Sequence, residues 1–419
     1  MNGSFQKRAL QAAVALALLG GLGNSQAIVN VQCPGDLNGD ADWDDVVDGI
    51  AEVQPPGTRC MHLIAGDGFA VMSDASELYT FGFGDQTGTD PTQVIGAGIL
   101  NNEWPGPTIE LEEGEEFYLS LTNVGTTMRP DLFDPHTVHF HGFPNAASVF
   151  DGVPEVSIAI NMGATLTYYY NIVEPGTYLY HCHVEATEHM EMGMLANLFV
   201  HPAQDLTGCL SGGCPVAGRM GGPGGGVALG EPVGYTYNDD DGTTGWDVEK
   251  AIQLGSFDSA FHEASLNVQP LPFATLEGDY PQLNGRGYPD TVNPSALPPP
   301  PSGGGAPAQV LDSRVELTAG QTLLLRLSNV GLDRFWTLTA PGLTLKQIGT
   351  GARLMRGLDG KNLYLETASI NFGGGESMDV LVDTTGVAPG TYFLQASELH
   401  QMSTRNEMDG GMITEIIVN

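Results

Sequence analysis

Apolar and polar residues alternate along many short stretches of this chain, and turns rich in glycine, proline and asparagine separate the stretches. Ile109–Glu112, which reads IELE, and residues 325–328, which read LRLS, are two examples. A period of two is the spacing of side chains on one face of a β-strand. The pattern therefore predicts an all-β protein whose sheets each bury one face, as in a β-sandwich.

The chain also contains an internal repeat. Residues 109–125 return as residues 315–331, and the stretch PGTY at 175–178 returns at 389–392. The two spacings differ by eight residues, which is the size of a change in loop length. We therefore predict two tandem copies of one fold.

The repeat and the composition of the connecting segments divide the chain. Residues 60–202 are the predicted first domain and residues 230–419 the second, with a glycine-rich linker at 203–229. An acidic segment at 28–59 precedes the first domain.

Residues 1–27 predict a secretory signal peptide. They begin with Lys7 and Arg8, continue through an apolar run and end in SQA, a small-residue cleavage signal. The run is too short for a membrane-spanning helix. We therefore expect a periplasmic or extracellular protein that does not span the membrane.

Composition narrows the range of partners. With 57 glycines, 27 prolines and 41% hydrophobic residues, the 419-residue chain suits a turn-rich β protein with substantial cores. Its formal net charge of -35 argues against nucleic acid and anionic membranes as partners.

In an exported protein, cysteines outside a metal site can form disulfides. Cys209 and Cys214 bracket a small loop, which leaves Cys33 and Cys60 as a second candidate pair, although other pairings stay open.

Half of the ten histidines lie in two short segments, HTVHFHG at 136–142 and YHCH at 180–183. Alternate side chains of extended strands point to opposite faces. Strand parity therefore separates a thiol-containing pair from a set of histidines. The pair is Cys182 with His136, and the set is His139, His141, His181 and His183. A thiolate with imidazoles suits a copper electron-transfer site, whereas an imidazole set suits copper or zinc.

A further histidine and three methionines follow in HMEMGM at 189–194. The series His-x-His-Gly, His-Cys-His and His-x-x-x-Gly-Met resembles the multicopper oxidase family. This resemblance covers residues 60–419 and implies two tandem cupredoxin-like Greek-key β-sandwich domains. Cys182 and His189 lie two residues further apart than in most of the family, which leaves the choice of axial methionine open.

The resemblance implies two kinds of copper ligand in the first domain. The type 1 ligands would be His136, Cys182, His189 and Met194. The four clustered histidines, His139, His141, His181 and His183, would form half of a type 2/3 set. Asp151, in the turn FDGVP, matches an acidic residue that assists proton delivery to oxygen; a plain turn aspartate is the alternative.

The second copy lacks the corresponding ligands. Residues 181–183 align with QAS at 395–397, and residues 136–141 align approximately with FWTLTA at 335–340. A complete trinuclear cluster in the family takes eight histidines from two domains, so this chain supplies half of one. We therefore expect a homo-oligomer in which the first domains of two chains pool their histidines about a two-fold axis.

These inferences favour an exported copper oxidoreductase of the multicopper oxidase type. It would take single electrons from an external donor, a phenol, metal ion or redox protein, and reduce O2. One alternative is a copper nitrite reductase, whose second copper would take three histidines, with His262 or His400 from the second domain of a neighbouring subunit as the third. A second alternative is a non-catalytic type 1 copper electron carrier or copper-binding protein.

The acidic segment contains DLNGDADWDD at 36–45, with oxygen ligands at alternate positions. It resembles a calcium loop of dockerin or EF-hand type. The predicted Ca2+ ligands are Asp36, Asn38, Asp40 and Asp42. The sixth position holds Ala41 instead of glycine and the twelfth holds Val47 instead of an acid. A solvated acidic turn is the alternative.

Overall fold

The computed structural model describes residues 29–220 and 232–419. The predicted signal peptide at 1–27 lies outside the described residues, as does the glycine-rich centre of the predicted linker. No helix in the described ranges is long and apolar enough to cross a membrane.

The first half of the described chain contains a hairpin followed by a β-sandwich. Its strands are β1 (Val46–Val47), β2 (Ile50–Ala51), β3 (Thr58–Val71), β4 (Glu77–Asp85), β5 (Ile109–Glu112), β6 (Glu116–Gly125), β7 (His139–His141), β8 (Thr165–Asn171), β9 (Gly176–His181) and β10 (Leu195–His201). β1 and β2 form the hairpin. The two sheets of the sandwich have the strand orders β4-β3-β6-β8 and β5-β10-β9-β7.

The second half contains a second, larger sandwich. Its strands are β11 (Gly234–Tyr235), β12 (Gly245–Trp246), β13 (Val248–Phe257), β14 (Tyr280–Leu283), β15 (Val315–Leu317), β16 (Thr322–Asn329), β17 (Trp336–Thr339), β18 (Leu345–Thr350), β19 (Arg353–Leu354), β20 (Leu365–Thr367), β21 (Ser369–Phe372), β22 (Ser377–Asp383), β23 (Gly390–Ala396) and β24 (Ile413–Val418). One sheet has the order β14-β13-β16-β22-β18-β19, with β20 on β18, and the facing sheet has the order β15-β24-β23-β17-β21.

In the described ranges the helices are short and lie in the connections. The α-helices are α1 (Val94–Gly98), α2 (Ala186–Glu191), α3 (Gln204–Thr207) and α4 (Ser259–Leu266). The 3-10 helices are Ser148–Phe150, Gly218–Met220, Phe273–Thr275, Asp290–Val292 and Leu399–Met402.

The two sandwiches share their strand pairing, which confirms the predicted all-β fold with two tandem sandwiches. β5 pairs in parallel with β10, and β15 pairs in parallel with β24. In the first sandwich β10 begins opposite His181, and in the second β24 begins opposite Gln395. The register therefore places Gln395 at the position that His181 holds in the first copy.

Alternating side chains build each core, as the period of two predicts. Phe117, Leu119 and Leu121 of β6 are buried in the first core, and Leu323 and Leu325 of β16 are buried in the second. Each fully buried side chain of this size contributes about 1.5–3 kcal/mol through removal of apolar surface from water. The cores therefore hold the ends of β7 and β9 in fixed positions.

A buried ionic network joins the two sandwiches. Arg326 of β16 is fully buried and forms an ion pair with Glu249 of β13. Its guanidinium also lies 3.6 Å from Asp379 of β22. Asp379 in turn accepts a hydrogen bond from Thr177 of β9 at 2.5 Å. These contacts fix β16 against β9, so that the loop after β16 lies near the end of β9.

The first part of the predicted linker is folded. Residues 203–220 contain α3, a 3-10 helix and a disulfide between Cys209 and Cys214. Asp205 is fully buried and accepts a hydrogen bond from Arg219 at 2.6 Å. A second disulfide joins Cys33 to Cys60 and so ties the acidic segment to β3.

Candidate metal centre

Cys182 is the one free cysteine of the described chain, and it lies between two imidazoles. Its Sγ is 3.3 Å from His189 Nδ1 and 3.9 Å from His136 Nδ1. All three side chains are fully buried. One ligand atom from each lies within 4.8 Å of the others. The structure thus brings together three of the four residues predicted as type 1 ligands in the arrangement of one sulfur and two nitrogens.

Electrostatics favour a thiolate at this position. Burial alone raises the pKa of the Cys182 thiol, but His189 and His136 outweigh burial and hold that pKa well below its ordinary value. The backbone N–H of Thr137 also points to Cys182 Sγ at 3.5 Å. Burial lowers the pKa of His189, but the Cys182 thiolate and the Asp134 carboxylate raise it to about 10. A buried thiolate beside two imidazoles suits a soft metal cation.

The loop from Cys182 to His189 forms the short helix α2, which accounts for the extra residues in this segment. Glu185, just before the helix, has a left-handed backbone conformation with φ 44°. The backbone N–H of His189 then donates to Glu185 O at 3.1 Å. The helix therefore returns His189 to the thiolate within a compact turn.

Met194 is held beside the same group through its backbone. Cys182 N donates to Met194 O at 3.0 Å, and Met194 N donates to His189 O at 2.8 Å. The side chains of Met192 and Met194 are both fully buried in the core that contains Cys182. The axial role of Met194 stays a prediction, with Met192 as the neighbouring candidate.

An isolated β-bridge positions His136, which lies outside β7, the strand that carries His139 and His141. β7 covers only His139–His141. His136 forms an isolated bridge with Ile160, with reciprocal N–H···O bonds of 3.0 and 2.9 Å. The loop between His136 and β7 leaves His136 on the core side with Cys182.

The four other clustered histidines lie together on the opposite side of the Cys182 peptide. β7 pairs with β9 so that His139 faces His181 across the ladder. The centroids of the rings are 5.3 Å apart for this pair, and His139 lies 5.1 Å from His183. His141 Nδ1 is 3.3 Å from His181 Nε2. The predicted half-set is therefore one contiguous group of imidazoles.

Backbone carbonyls orient two of these rings. His139 Nδ1 lies 2.6 Å from Asp151 O, and His181 Nδ1 lies 2.9 Å from Cys182 O. A carbonyl can only accept, so Nδ1 carries the proton in both rings and Nε2 is left as the lone-pair nitrogen. Burial lowers the pKa of His181 to about 3 and also lowers the pKa of His141. Neutral imidazoles are the form that binds metal ions.

Asp151 contacts the histidines mainly through its backbone. Its carbonyl oxygen takes the short contact to His139, whereas its carboxylate Oδ1 is 3.6 Å from His139 Nδ1. Asp151 follows the 3-10 helix Ser148–Phe150, and the next residue, Gly152, has φ 77°. The predicted proton-delivery role of its carboxylate stays a prediction.

The histidine group lines a cavity of about 450 Å³ whose opposite wall comes from the second sandwich. That wall consists of residues 331–335, which follow β16, together with Gly374 and Gly375. Gly375 is close to His141: a Cβ on this glycine would lie 3.0 Å from the imidazole ring. The sequence offered no sign of this contact, because the two segments are far apart in the chain.

The ligand positions of the second sandwich hold other residues. Ala396 N donates to Met412 O at 3.0 Å, the bond that Cys182 N makes to Met194 O in the first sandwich. Ala396 therefore stands at the position of Cys182, and Met412 at the position of Met194. Alanine thus replaces the thiol at this position of the second sandwich, while the methionine is retained.

The remaining single histidines have other contacts. His62 Nε2 lies 2.8 Å from Thr122 Oγ1, and His201 Nε2 lies 2.7 Å from Glu110. His262 Nδ1 lies 2.6 Å from Tyr79 O. His400 is exposed beside Arg334. His262 and His400 are not among the described residues that line the histidine cavity.

Two family models, both described as multicopper oxidase, match residues 85–205 and 269–419. The chain belongs to the multicopper oxidase family. The first match contains both metal-ligand groups, and the second contains most of the second sandwich. The family binds copper ions, and the donor sets fit copper, because thiolate with imidazole suits the type 1 site and imidazole alone suits the other.

Curated relatives of this multicopper oxidase match it over short stretches. Iron transport multicopper oxidase fetC of Epichloe festucae is 37% identical over 92 residues, 22% of this chain and 13% of that protein. L-ascorbate oxidase of Cucurbita pepo var. melopepo is 32% identical over 107 residues, 25% of this chain and 18% of that protein. The match thus spans less than a fifth of either relative's length.

Solved structures share the fold over most of the chain. Blue copper oxidase from Nitrosomonas europaea superposes with a TM-score of 0.60 at 20% identity, covering 86% of both chains. Copper nitrite reductase from Nitrosomonas europaea has a TM-score of 0.54 at 14% identity, covering 86% of this chain and 94% of that one. These likenesses confirm the cupredoxin-like β-sandwich fold of this multicopper oxidase.

Two site residues were missed by reasoning from sequence. Asp134 Oδ2 lies 3.8 Å from His189 Nε2, on the edge of the ring that faces away from Cys182. Thr137 contacts both groups, since its N–H points to Cys182 Sγ and its Oγ1 accepts from His183 N at 3.1 Å. Both lie within the 134–141 segment, so nearness to the histidines was the available signal.

Proposed function

We propose that this protein is an exported copper-dependent oxidoreductase that takes single electrons at a type 1 site and reduces O2 at a histidine-bound copper cluster. The observation that carries the proposal is the back-to-back arrangement around Cys182. The buried Cys182 sulfur with two imidazoles lies on one side of its peptide and four imidazoles lie on the other. The residues that would hold the type 1 copper are His136, Cys182, His189 and Met194.

Copper bound to these residues would supply the one-electron chemistry and the reduction of oxygen. The protein supplies position and a short connection. His181 is the last residue of β9 and Cys182 follows it directly, and His181 Nδ1–H donates to the carbonyl oxygen of Cys182. The two ligand groups are therefore linked through one peptide unit. The carbonyl of Asp151 fixes the ring of His139, which keeps its Nε2 free for the cluster.

The half-set needs more ligands than this chain supplies, and we propose that a second copy of the chain completes it. His141 stays exposed although the second sandwich lies beside it. The loop at 331–335 that covers part of the cavity contributes no histidine. A symmetric dimer that brings two half-sets together supplies eight imidazoles.

Export is supported by the two disulfides, which form in oxidising compartments.

Copper counting with optical and spin-resonance spectra tests this proposal. We expect one type 1 copper per chain and three further coppers per pair of chains, together with a dimeric native mass. Cys182→Ser is expected to abolish the blue colour and spare the cluster. His141→Gln is the matched variant, because it should deplete the cluster and keep the blue colour. A strictly monomeric protein with one copper, or blue colour in Cys182→Ser, contradicts the proposal.

Donor oxidation coupled to oxygen uptake tests the activity itself. Phenols, a reducing metal ion such as Mn(II) or Cu(I), and a reduced redox protein are the donor classes to compare. Oxygen consumption with at least one of them is expected to disappear in Cys182→Ser. A blue protein that accepts electrons from each donor without consuming oxygen would instead be the non-catalytic electron carrier.

Copper nitrite reductase is the second enzymatic candidate, because a three-histidine group is present. One nitrogen each of His139, His141 and His181 lies within 4.8 Å of the others. His183 distinguishes the two functions: a three-histidine nitrite site does not need it, whereas the oxygen-reducing half-set does. Nitrite turnover without oxygen uptake that survives His183→Gln would favour the reductase over the oxidase.

A further inference from the structure

The acidic segment before the first sandwich contains a cluster of three carboxylate side chains, and its members differ from the predicted set of calcium ligands. Asp36, Asp40 and Glu52 each offer an oxygen, and these oxygens lie within 4.8 Å of one another. Among the described residues, the predicted ligand Asp42 is not part of this cluster. Its Oδ1 instead accepts the N–H of Asp44 at 3.1 Å. Glu52 was not predicted, since it lies beyond the twelfth position of the loop.

Glu52 has a buried carboxylate oxygen that lacks a partner. Its side chain is only 7% exposed, and Oε1 accepts the N–H groups of Leu37 and Asn38 at 2.5 and 3.2 Å. Oε2 is buried without a hydrogen-bond partner among the described residues. An ionised oxygen withdrawn from water is costly unless a cation or a donor compensates it. This oxygen belongs to the carboxylate that faces Asp36 and Asp40.

A two-stranded hairpin explains how Glu52 reaches the loop. The chain leaves the loop at Asp45, forms β1 and β2, and returns, so that Glu52 N donates to Asp45 O at 3.1 Å. The hairpin therefore moves the acidic residue from the expected twelfth position, held by Val47, to a later one. Sequence comparison with an uninterrupted twelve-residue loop misses an acid supplied in this way.

The backbone of the loop is already in the conformation that a cation loop requires. Ala41 has φ 73° at the sixth position, where such loops usually have glycine for the sharp turn. Asp36 accepts N–H groups of Gly39 and Ala41 at 2.6 and 2.9 Å. Asp40 O accepts the N–H of Gly88 at 2.8 Å, which attaches the loop to the first sandwich.

We propose that Asp36, Asp40 and Glu52 form a calcium site that attaches the acidic segment to the first sandwich. Three carboxylates with no nitrogen or sulfur donor suit a hard cation. Calcium tolerates irregular coordination and takes six to eight oxygens, whereas magnesium demands a near-octahedral arrangement. The site is independent of the copper centres, because the Cys33–Cys60 disulfide and the Gly88 contact place it on β3 and the turn after β4.

Calorimetric titration of the EGTA-treated full chain with Ca2+ alone tests the site. We expect one Ca2+ per chain with a dissociation constant of roughly 10⁻⁵ to 10⁻³ M. Glu52→Gln is expected to weaken binding at least about tenfold, because it removes one of the three negative charges of the site and the carboxylate oxygen that lacks a partner. Asp48→Asn is the matched control, since Asp48 is exposed in the turn of the same hairpin and should bind Ca2+ like the wild type.

Two outcomes of the titration overturn the proposal. One is a wild-type chain that binds no Ca2+ at millimolar concentration, and the other is equal affinity in Glu52→Gln and the wild type. Folding of the variant is checked by its melting temperature in EGTA, which should equal or exceed that of the wild type because a buried negative charge is removed.

Terbium luminescence provides a second measurement that needs no change at the ligands. Trp43 lies on the same loop, where its Nε1 donates to Pro34 O at 2.9 Å. Bound Tb3+ should be sensitised by this indole, displaced by Ca2+ and dimmer in Trp43→Phe, where Tyr118 beside the same loop is the remaining sensitiser. Luminescence that Ca2+ fails to displace, or that is unchanged in Trp43→Phe, contradicts a site in this loop.

Discussion

Replacing Asp134 by asparagine is expected to raise the reduction potential of the proposed type 1 copper. Asp134 Oδ2 lies 3.8 Å from His189 Nε2, and its side chain is 18% exposed. The charge of this carboxylate stabilises the more positive, oxidised state of a metal bound to His189. Asparagine keeps the shape and removes the charge, so the oxidised state should lose that stabilisation.

The geometry bounds the magnitude of this effect. Two unit charges 4 Å apart interact by about 1 kcal/mol in water and about 4 kcal/mol at an effective dielectric constant of 20. The imidazole ring separates the carboxylate from Nδ1, the nitrogen near Cys182, so we take about half of these energies. At about 2.3 kcal/mol per 100 mV, the expected rise is about 20–90 mV. Partial exposure of Asp134 favours the lower part of this range.

Redox titration of the blue absorption measures this shift directly. Asp131→Asn is the matched control, because its side chain is 47% exposed and its charge is already paired with Arg129 at 2.7 Å. We expect a much smaller shift in the control. An unchanged or lowered potential in Asp134→Asn, with the blue spectrum intact, would refute the electrostatic reasoning. A lost spectrum would instead mean that Asp134 is needed to hold His189.

Three further substitutions test how the fold supports the site. Gly152→Ala should destabilise the turn that places Asp151 O beside His139. The cost should exceed the roughly 1–2 kcal/mol of backbone strain alone, because the added Cβ would overlap Val138 O. Gly142→Ala is the control in thermal unfolding, since Gly142 has a similar φ but open space around it, and equal losses of stability in the two variants contradict the contact. Arg326→Met should cost about 3–5 kcal/mol in denaturant unfolding, because it removes the guanidinium beside the buried Asp379 carboxylate and the partly buried Glu249 carboxylate; a loss below about 1 kcal/mol contradicts this. Burial lowers the pKa of His62 to about 4 in the folded chain, below the ordinary 6.5 of the unfolded chain. The contribution of neutral His62 to the free energy of unfolding is therefore fully present above pH 6.5 and is lost as the pH falls to about 4. This loss of stability amounts to about 3 kcal/mol, and His62→Gln should make the free energy of unfolding depend less on pH between these values.

Strand parity could be read from the sequence because it is a local property. Side chains two residues apart share a face of a strand wherever the strand lies, so the grouping of His181 and His183 opposite Cys182 needed no tertiary information. The order of the repeat likewise predicted two similar sandwiches. Pairing of β9 with β7 then places His139 beside His181, as the grouping required.

Contacts made by loops could not be predicted in the same way. Glu52 joins Asp36 only because a hairpin returns the chain, and a reading of consecutive positions chose Asp42 instead. Asp134 meets His189 because α2 turns the intervening segment back onto the loop before His136. Each contact depends on where a loop is packed, which its local composition does not specify.

The sequence by itself determined the two β-sandwiches, the family and the division of the histidines between two faces. These follow from the period-two pattern, the repeat and short motifs, all of which act over a few neighbouring residues. Only the tertiary structure decided what faces the histidine group, a loop of the second sandwich with no histidine of its own. The physical reason is that Thr177 of the first sandwich hydrogen-bonds to the buried Asp379 and Arg326 of the second, and this docking brings together residues that are distant in the chain.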